Sequence, residues 1–463
     1  MGLARDLATR IADLDHDDLP DAAIHWARVA ILDTVGVGMA GANEDCVTIL
    51  EKVTAVGAGG GSCQLFGKTG RRDPLDAALI NGTACHAHDF DDCNNTLGGH
   101  PSAPILPALF AVAEETGAAG HDILLAYVAG FETETAIARG VQFHHYEKGW
   151  HPTGTLGTFG AAAACGRLMG LSVDEIETAL ALCISFAAGV KANFGTMTKP
   201  LHIGQTSRAG LLAARLAREG FTANPNAFEH SQGFFEVFNG AGNFDVAKVL
   251  EGWADPLNIV SPGVAIKQYP CCGSTHPAID AMLALVRDHG LTPDGVARIE
   301  TAIHTRRLKH TDRPNPQSAL EAKFSIQYCL ARALCDGRVT LDQFEGDAHL
   351  DPGVRRIMDR VEAGAHRDAN HFSADVTVTT TDGQTLGKHV AQALGRGPGH
   401  ALPDDLLTAK FESCAGRVLP PGQVAHLLEA IMAFDDMVDF ADFAALLKAP
   451  DSGYGTGVGA AAE

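Results

Sequence analysis

The feature that most constrains the fold is a change in apolar periodicity near Pro262. Before it, apolar residues recur at the spacing of one helix face: Leu3, Leu7, Ile11 and Leu14 in the first segment, then again through 22–39 and 122–139. Ser172 followed by Glu175 has the capping-box pattern of a helix start, and 207–219 reads as a further helix closed by Gly220. After Pro262 the alternation of a half-buried strand appears at Val296 to Thr305 and at Ala374 to Thr381. The second of these leads through Asp382-Gly383 into Gln384 to Val390, which predicts a hairpin. Between them, Ala322 to Cys335 reads as a helix. Gly395 to Pro403 reads as a linker, and helical spacing returns from Asp404 to Lys448. The predicted class is therefore mainly α with an inserted α+β domain. A large all-helical domain is drawn from 1–262 and 399–463, and a smaller lid domain from 263–398. The last residues, 452–463, read as a flexible tail.

How such helices pack follows from composition. Aromatic residues make up only 6% of the chain while glycine is abundant, and 155–169 is almost wholly small residues, so close helix–helix contact is expected. The spacing of Gly154, Gly157 and Gly160 does not make a dinucleotide fingerprint. Such a fingerprint follows a strand, whereas Trp150-His151-Pro152 stands here. A net charge of −21 argues against nucleic acid and anionic membrane surfaces as partners. No apolar run is long and charge-free enough to span a bilayer. Eleven cysteines without framework spacing, and a first segment lacking an apolar signal core, predict free thiols and a cytoplasmic location.

Four clusters can carry chemistry. The densest lies in 81–107, with His86, His88, Asp89, Asp91, Asp92, Cys93 and His100. Burying unpaired charges costs several kcal/mol each, so these side chains belong to a solvated loop or to a pocket where protons move. The apolar run Ala103-Pro104-Ile105-Leu106-Pro107 that follows takes the chain inward and favours the pocket. Asp89 and His100 are its best candidates, whereas Asp91 and Asp92 read as solvated or helix-N-terminal carboxylates. Metal-capable donors are present in Cys85, His86, His88, Asp89 and Cys93. They show neither finger-type nor HExxH spacing, so no metal is expected. The second cluster is His151 before Pro152, which opens a helix beside backbone N–H groups. In the third, Lys199 and His202 fall three apart on one helical face, with Arg208 beyond; local cations in so acidic a chain suggest an anionic ligand. The fourth, Lys267 to His276, includes the vicinal pair Cys271-Cys272, of which Lys267 and His276 look more useful than either thiol.

Taken in order, these stretches resemble the MmgE/PrpD family. The matching pieces are His86-x-x-Asp89-Phe-Asp-Asp, His100-Pro-Ser-Ala-Pro-Ile-Leu-Pro, Phe131-Glu132, His151-x-Thr153 and Lys199-x-x-His202-x-Gly204. Two more follow: Ile266-Lys267-x-Tyr269-Pro270-Cys271-Cys272-x-x-Thr275-His276 and Lys323-Phe324-Ser325-x-x-Tyr328. The resemblance implies a homodimer of two-domain subunits, and cofactor-free chemistry on small polycarboxylates. The activities it implies are dehydration of 2-methylcitrate, decarboxylation of cis-aconitate and epimerisation of iminodisuccinate. It carries pocket roles onto Asp89, His100, His151, Lys199, Lys267, His276 and Tyr328. Where the family usually has Thr, this chain has Cys93, a poorer hydrogen-bond donor, and the loop 94–99 differs as well.

The expected activity is that of a cofactor-independent lyase, foremost a dehydratase of a 2-methylcitrate-like hydroxy acid. A decarboxylase or epimerase is the alternative within the family, and a silent carboxylate-binding protein the alternative outside it. Asp89, His100, His151, Lys199 and Lys267 are the expected catalytic groups; Cys93, His202, His276 and Tyr328 are the expected substrate contacts. Proton removal or return beside a carboxylate needs preorganised cations and a histidine that titrates near working pH. Replacing Lys199 with alanine is expected to abolish turnover with little loss of stability.

Overall fold

A computed structural model describes residues 2–55, 60–367 and 370–451. The glycine-rich tail at 452–463 lies outside the described residues. The chain divides into two compact units: one runs to Ile266 and resumes at Pro403, and the other spans Lys267–Leu402.

The first unit is helical. Its helices include α1 (Leu3–Asp13), α2 (Asp21–Gly41), α3 (Pro74–His86), α4 (Ser102–Thr116), α5 (Gly120–Val141), α6 (Gly157–Leu168), α7 (Val173–Phe186) and α8 (Thr198–Arg218). The capping box forms as read: the Glu175 N–H donates to Ser172 Oγ and the Ser172 N–H to Glu175 Oε2. Helix α8 starts nine residues before the expected Ser207, with Pro200 in its first turn, where a missing N–H costs nothing. Small residues set the helix spacing, as the composition predicted. A Cβ on Gly130 would stand 2.6 Å from Gly160 O, so α5 and α6 meet backbone to backbone. A Cβ on Gly204 would stand 2.1 Å from Leu79 O, so α8 lies directly on α3. That contact has a chemical consequence, because α3 ends at His86 and α8 begins beside Lys199 and His202.

The C-terminal segment returns to this unit as Asp404–Ala415, Pro421–Met432 and Phe440–Leu446. Its Lys410 ammonium pairs with Asp33 and donates to Phe90 O at 2.8 Å, which pins the backbone beside Asp89.

The second unit holds a four-stranded sheet: β1 (Val296–His304), β2 (Val361–His366), β3 (Ala374–Thr380) and β4 (Thr385–Val390), in the order β2-β1-β3-β4. Strands β1 and β2 are parallel, and the other pairs are antiparallel. Strands β3 and β4 form the hairpin read from the alternation, with Gly383 at φ +88° in its turn. Ile299, Ile303, Val376 and Val378 join Ile279, Met282 and Leu330 in one core against α9 (His276–His289) and α10 (Ile326–Asp336). The single helix expected over 322–335 is broken at 323–325, because Ser325 Oγ accepts the Tyr328 N–H and starts α10 afresh. No helix among the described residues is long and apolar enough to cross a membrane.

Candidate active site

The stretch that follows α3 is buried, and it is built around one lysine. Lys199 Nζ, from the first turn of α8, lies 2.7 Å from Asp89 Oδ1 and 2.7 Å from His86 Nε2. His86 Nδ1 lies 2.8 Å from Asp91 Oδ2, and His100 Nδ1 lies 3.2 Å from the same oxygen. His100 Nε2 faces Asp89 Oδ1 at 3.5 Å. Five side chains therefore close a ring: Lys199, His86, Asp91, His100, Asp89 and back to Lys199.

The roles of the ring atoms follow from donor and acceptor chemistry. An ammonium has no lone pair, so His86 Nε2 accepts from Lys199, and His86 Nδ1–H donates to Asp91. This fixes His86 as a neutral imidazole. Burial does most of this, pushing its pKa down to about 4, and Lys199 adds to it while Asp91 opposes it. Burial alone would push the Asp91 carboxyl up; His100 and then His86 outweigh it and hold Asp91 well below the usual carboxylate range. His100 has a carboxylate oxygen at each nitrogen, and it donates to both only when the ring is protonated.

The backbone supports this arrangement with local strain. Asp89 sits at φ +54°, in a region that non-glycine residues adopt at a cost. Asp91 and Asp92, expected to be solvated, are both fully buried. Asp91 is charged between two imidazoles. Asp92 instead faces Ser102, which opens α4, and burial followed by the nearby Asp33 pushes its pKa well up. The loop after them closes through Asn94 N–H to Gly99 O at 3.0 Å, and Asn94 Nδ2 donates to Asn258 Oδ1 and Gly263 O.

Two further histidines adjoin the ring. His151, just before the helical turn Pro152–Thr155, is 3% exposed, with its ring centroid 5.7 Å from that of His86. Its Nδ1 lies 3.2 Å from His202 Nδ1. The Phe194 ring covers His151 edge to face, and Lys199 Nζ lies 5.2 Å from that ring's centroid. Thr153 Oγ1 accepts the His100 N–H at 3.0 Å, tying the two histidine segments together. Cys93 Sγ lies 3.8 Å from His100 Nδ1.

Of the residues expected from sequence, Asp89, Cys93, His100, His151, Lys199 and His202 therefore come together in the first unit. Lys267, His276 and Tyr328 belong to the second. Lys267 is 4% exposed. His276 is fully buried, its Nε2 3.3 Å from Cys271 O. Tyr328 is also fully buried, and its hydroxyl donates to Gln343 O and accepts from Arg332 Nε. Both capacities of that hydroxyl are used inside the unit, which is the pattern of a structural tyrosine. His88 turns away from the ring toward Ala40 O.

The residues whose roles the sequence did not reveal are His86 and Asp91. Their signal was the position of His86 at the end of a buried helix, five residues before an aspartate. On donor count, His86, Asp89, Asp91 and His100 could hold a metal ion. Lys199 already contacts two of those four donors at 2.7 Å and places a fixed positive charge among them. All eleven cysteines are free thiols.

The comparisons with known proteins agree with one another. The MmgE/PrpD N-terminal domain model matches residues 5–247, and the MmgE/PrpD C-terminal domain model matches residues 269–436. A cis-aconitate decarboxylase of Homo sapiens is 31% identical over 97% of this chain and 95% of its own length. That of Mus musculus is 30% identical over 96% and 93%. A mitochondrial 2-methylcitrate dehydratase of Yarrowia lipolytica (strain CLIB 122 / E 150) is 24% identical over 93% and 88%.

Proposed function

This chain belongs to the MmgE/PrpD family and is a lyase of that family, and on that premise we propose that it removes CO2 from cis-aconitate or a closely similar unsaturated tricarboxylate. This reverses the order set out from sequence, in which dehydration came first. The decarboxylases are similar to this chain at 30–31% identity, against 24% for the dehydratase.

The observation that carries the chemistry is the lysine-centred ring with a buried histidine, His151, beside it whose side chain bonds to another imidazole. Breaking the C–C bond to CO2 leaves its electron pair on the substrate as an allylic carbanion beside a carboxylate. Lys199, and His100 when its ring is protonated, are the cations that hold the remaining carboxylates. Cys93 and His202 adjoin the ring; Lys267 and His276 enter this proposal on motif alone, and Tyr328 we assign to structure. The carbanion takes a proton, and each turnover consumes one. His100 is committed to Asp89 and Asp91, which leaves His151 as the acid. Asp89 and Asp91 orient Lys199, His86 and His100. Every step uses side chains of this chain, so no cofactor is required.

The test is a substrate panel of cis-aconitate, 2-methylcitrate, citrate and iminodisuccinate, with products identified by NMR. CO2 release from cis-aconitate alone supports the proposal. Loss of water from 2-methylcitrate, or inversion without net loss, contradicts it, and so does inertness toward all four, which is the result for a silent binding protein. We further propose a cytoplasmic homodimer. The free thiols support the compartment and the family resemblance supports the dimer; a monomer mass by light scattering overturns the latter.

A further inference from the structure

The two imidazoles beside the ring face each other through like atoms. His151 Nδ1 and His202 Nδ1 stand 3.2 Å apart. Two lone pairs in that position repel, and two N–H groups collide, so the contact is a hydrogen bond only when a single proton lies between them. Which ring carries that proton decides which nitrogen of His151 is left for chemistry.

We propose that His202 is the positioning residue of the acid–base pair: its Nδ1 lone pair accepts the Nδ1–H of His151, so that Nε2 of His151 is the atom that carries a proton to substrate. The reverse arrangement gives His151 an Nδ1 that only accepts and leaves Nε2 permanently protonated. That ring could give up its proton only as an imidazolate. With His202 as acceptor, Nε2 gains a proton as the imidazolium, delivers it to the carbanion, and returns to a lone pair. The cycle balances: one proton enters His151 from water, one C–H bond forms on substrate, and both rings end neutral.

The surroundings fit a partner that is a neutral ring. His151 is faced by Lys199 and His202 from α8, by His86 from the end of α3, by His100 from the loop after it, and by the Phe194 ring. Burial, then Lys199, hold both histidines below the usual imidazole range, His151 by far the more. A carboxylate in place of His202 would favour the charged form of His151 and make its proton harder to give up. A neutral imidazole orients the ring and leaves it free to lose its proton. His202 is half-buried and is the more exposed ring of the pair.

The role in turnover rests on the decarboxylase reading; the tautomer does not. Nitrogen-15 NMR of the histidine-labelled full chain without substrate, with His151 assigned by its loss in His151→Gln, should show His151 protonated at Nδ1. Protonation at Nε2 with a lone pair on Nδ1 overturns the proposal, whatever the substrate proves to be. In turnover, His202→Leu should lower kcat by about 100-fold, the lower end of what a positioned acid contributes, with KM changed only a few-fold. His202→Asn, which offers an amide oxygen as acceptor, should recover part of that loss. His202→Asp should raise the pKa of His151 and move the alkaline limb of the kcat profile up by about one pH unit or more. Wild-type kcat in the leucine variant, or an unmoved limb in the aspartate variant, also overturns it.

Discussion

Lys199 is the residue on which the proposed site turns, because its ammonium lies 2.7 Å from each of two buried partners, Asp89 and His86. Lys199→Met should lower kcat by about 10²- to 10³-fold, the usual cost of losing one preorganised donor. The sequence led to an expectation of little stability loss for such a change; the buried geometry leads to a larger one. The change strips Asp89 and His86 of a buried cation that lies 2.7 Å from each. A loss of about 1–3 kcal/mol in urea unfolding is expected, and unchanged stability with normal turnover would remove Lys199 from the site. That Asp89, His100, His151 and Lys199 would be candidates for one pocket was an expectation from polar residues among apolar neighbours; the structure brings them together, and their role in turnover stays a proposal. Asp91 was misread, because a lone sequence does not show that two imidazoles will flank a carboxylate.

Among the helices, α3 and α8 bring the ring together, and they do so through glycine. In Gly204→Ala the added carbon would meet Leu79 O at 2.1 Å and Thr83 Oγ1 at 2.2 Å. Separating α3 from α8 moves Lys199 and His202 away from His86. The variant should lose about 1–3 kcal/mol and most of its activity together; full activity at reduced stability would show that the site tolerates the shift.

Helix α5 gives a separate, pH-dependent prediction. Glu132 is 1% exposed and accepts the N–H groups of Asn258 and Ile259. Burial lifts its pKa to about 7, against the pull of those two N–H groups. Between the usual carboxylate value and about 7 the folded state keeps a proton that the unfolded chain releases. This contribution to stability therefore falls as pH rises through that window and levels off above it. Glu132→Gln should remove that slope, a difference of up to about 3 kcal/mol between urea curves taken across the window. Parallel curves would contradict it. The helices themselves were legible as periodicity. The break at 323–325 and the early start of α8 were not, because a serine cap and a proline in the first turn outrank apolar spacing.

For the molecule as a whole, the switch from helical to alternating spacing gave the class correctly, with one helical unit and one built on a mixed sheet. The ring was not legible at this scale, since its members come from 86–100 and from Lys199, and nothing in sequence measures their separation. The choice between losing water and losing CO2 was equally hidden. Both reactions ask for cations and an imidazole, and the relatives, not the spacing, changed the preference. The account depends on a buried acid returning one proton to a carbanion that CO2 has left behind. The most direct test is turnover of cis-aconitate in deuterated water, counting CO2 and deuterium together on chelator-treated protein. The expected result is one CO2 and one deuterium per product molecule, with none in recovered substrate. Deuterium in recovered substrate without CO2 release, or turnover that returns only on adding a metal, would contradict it.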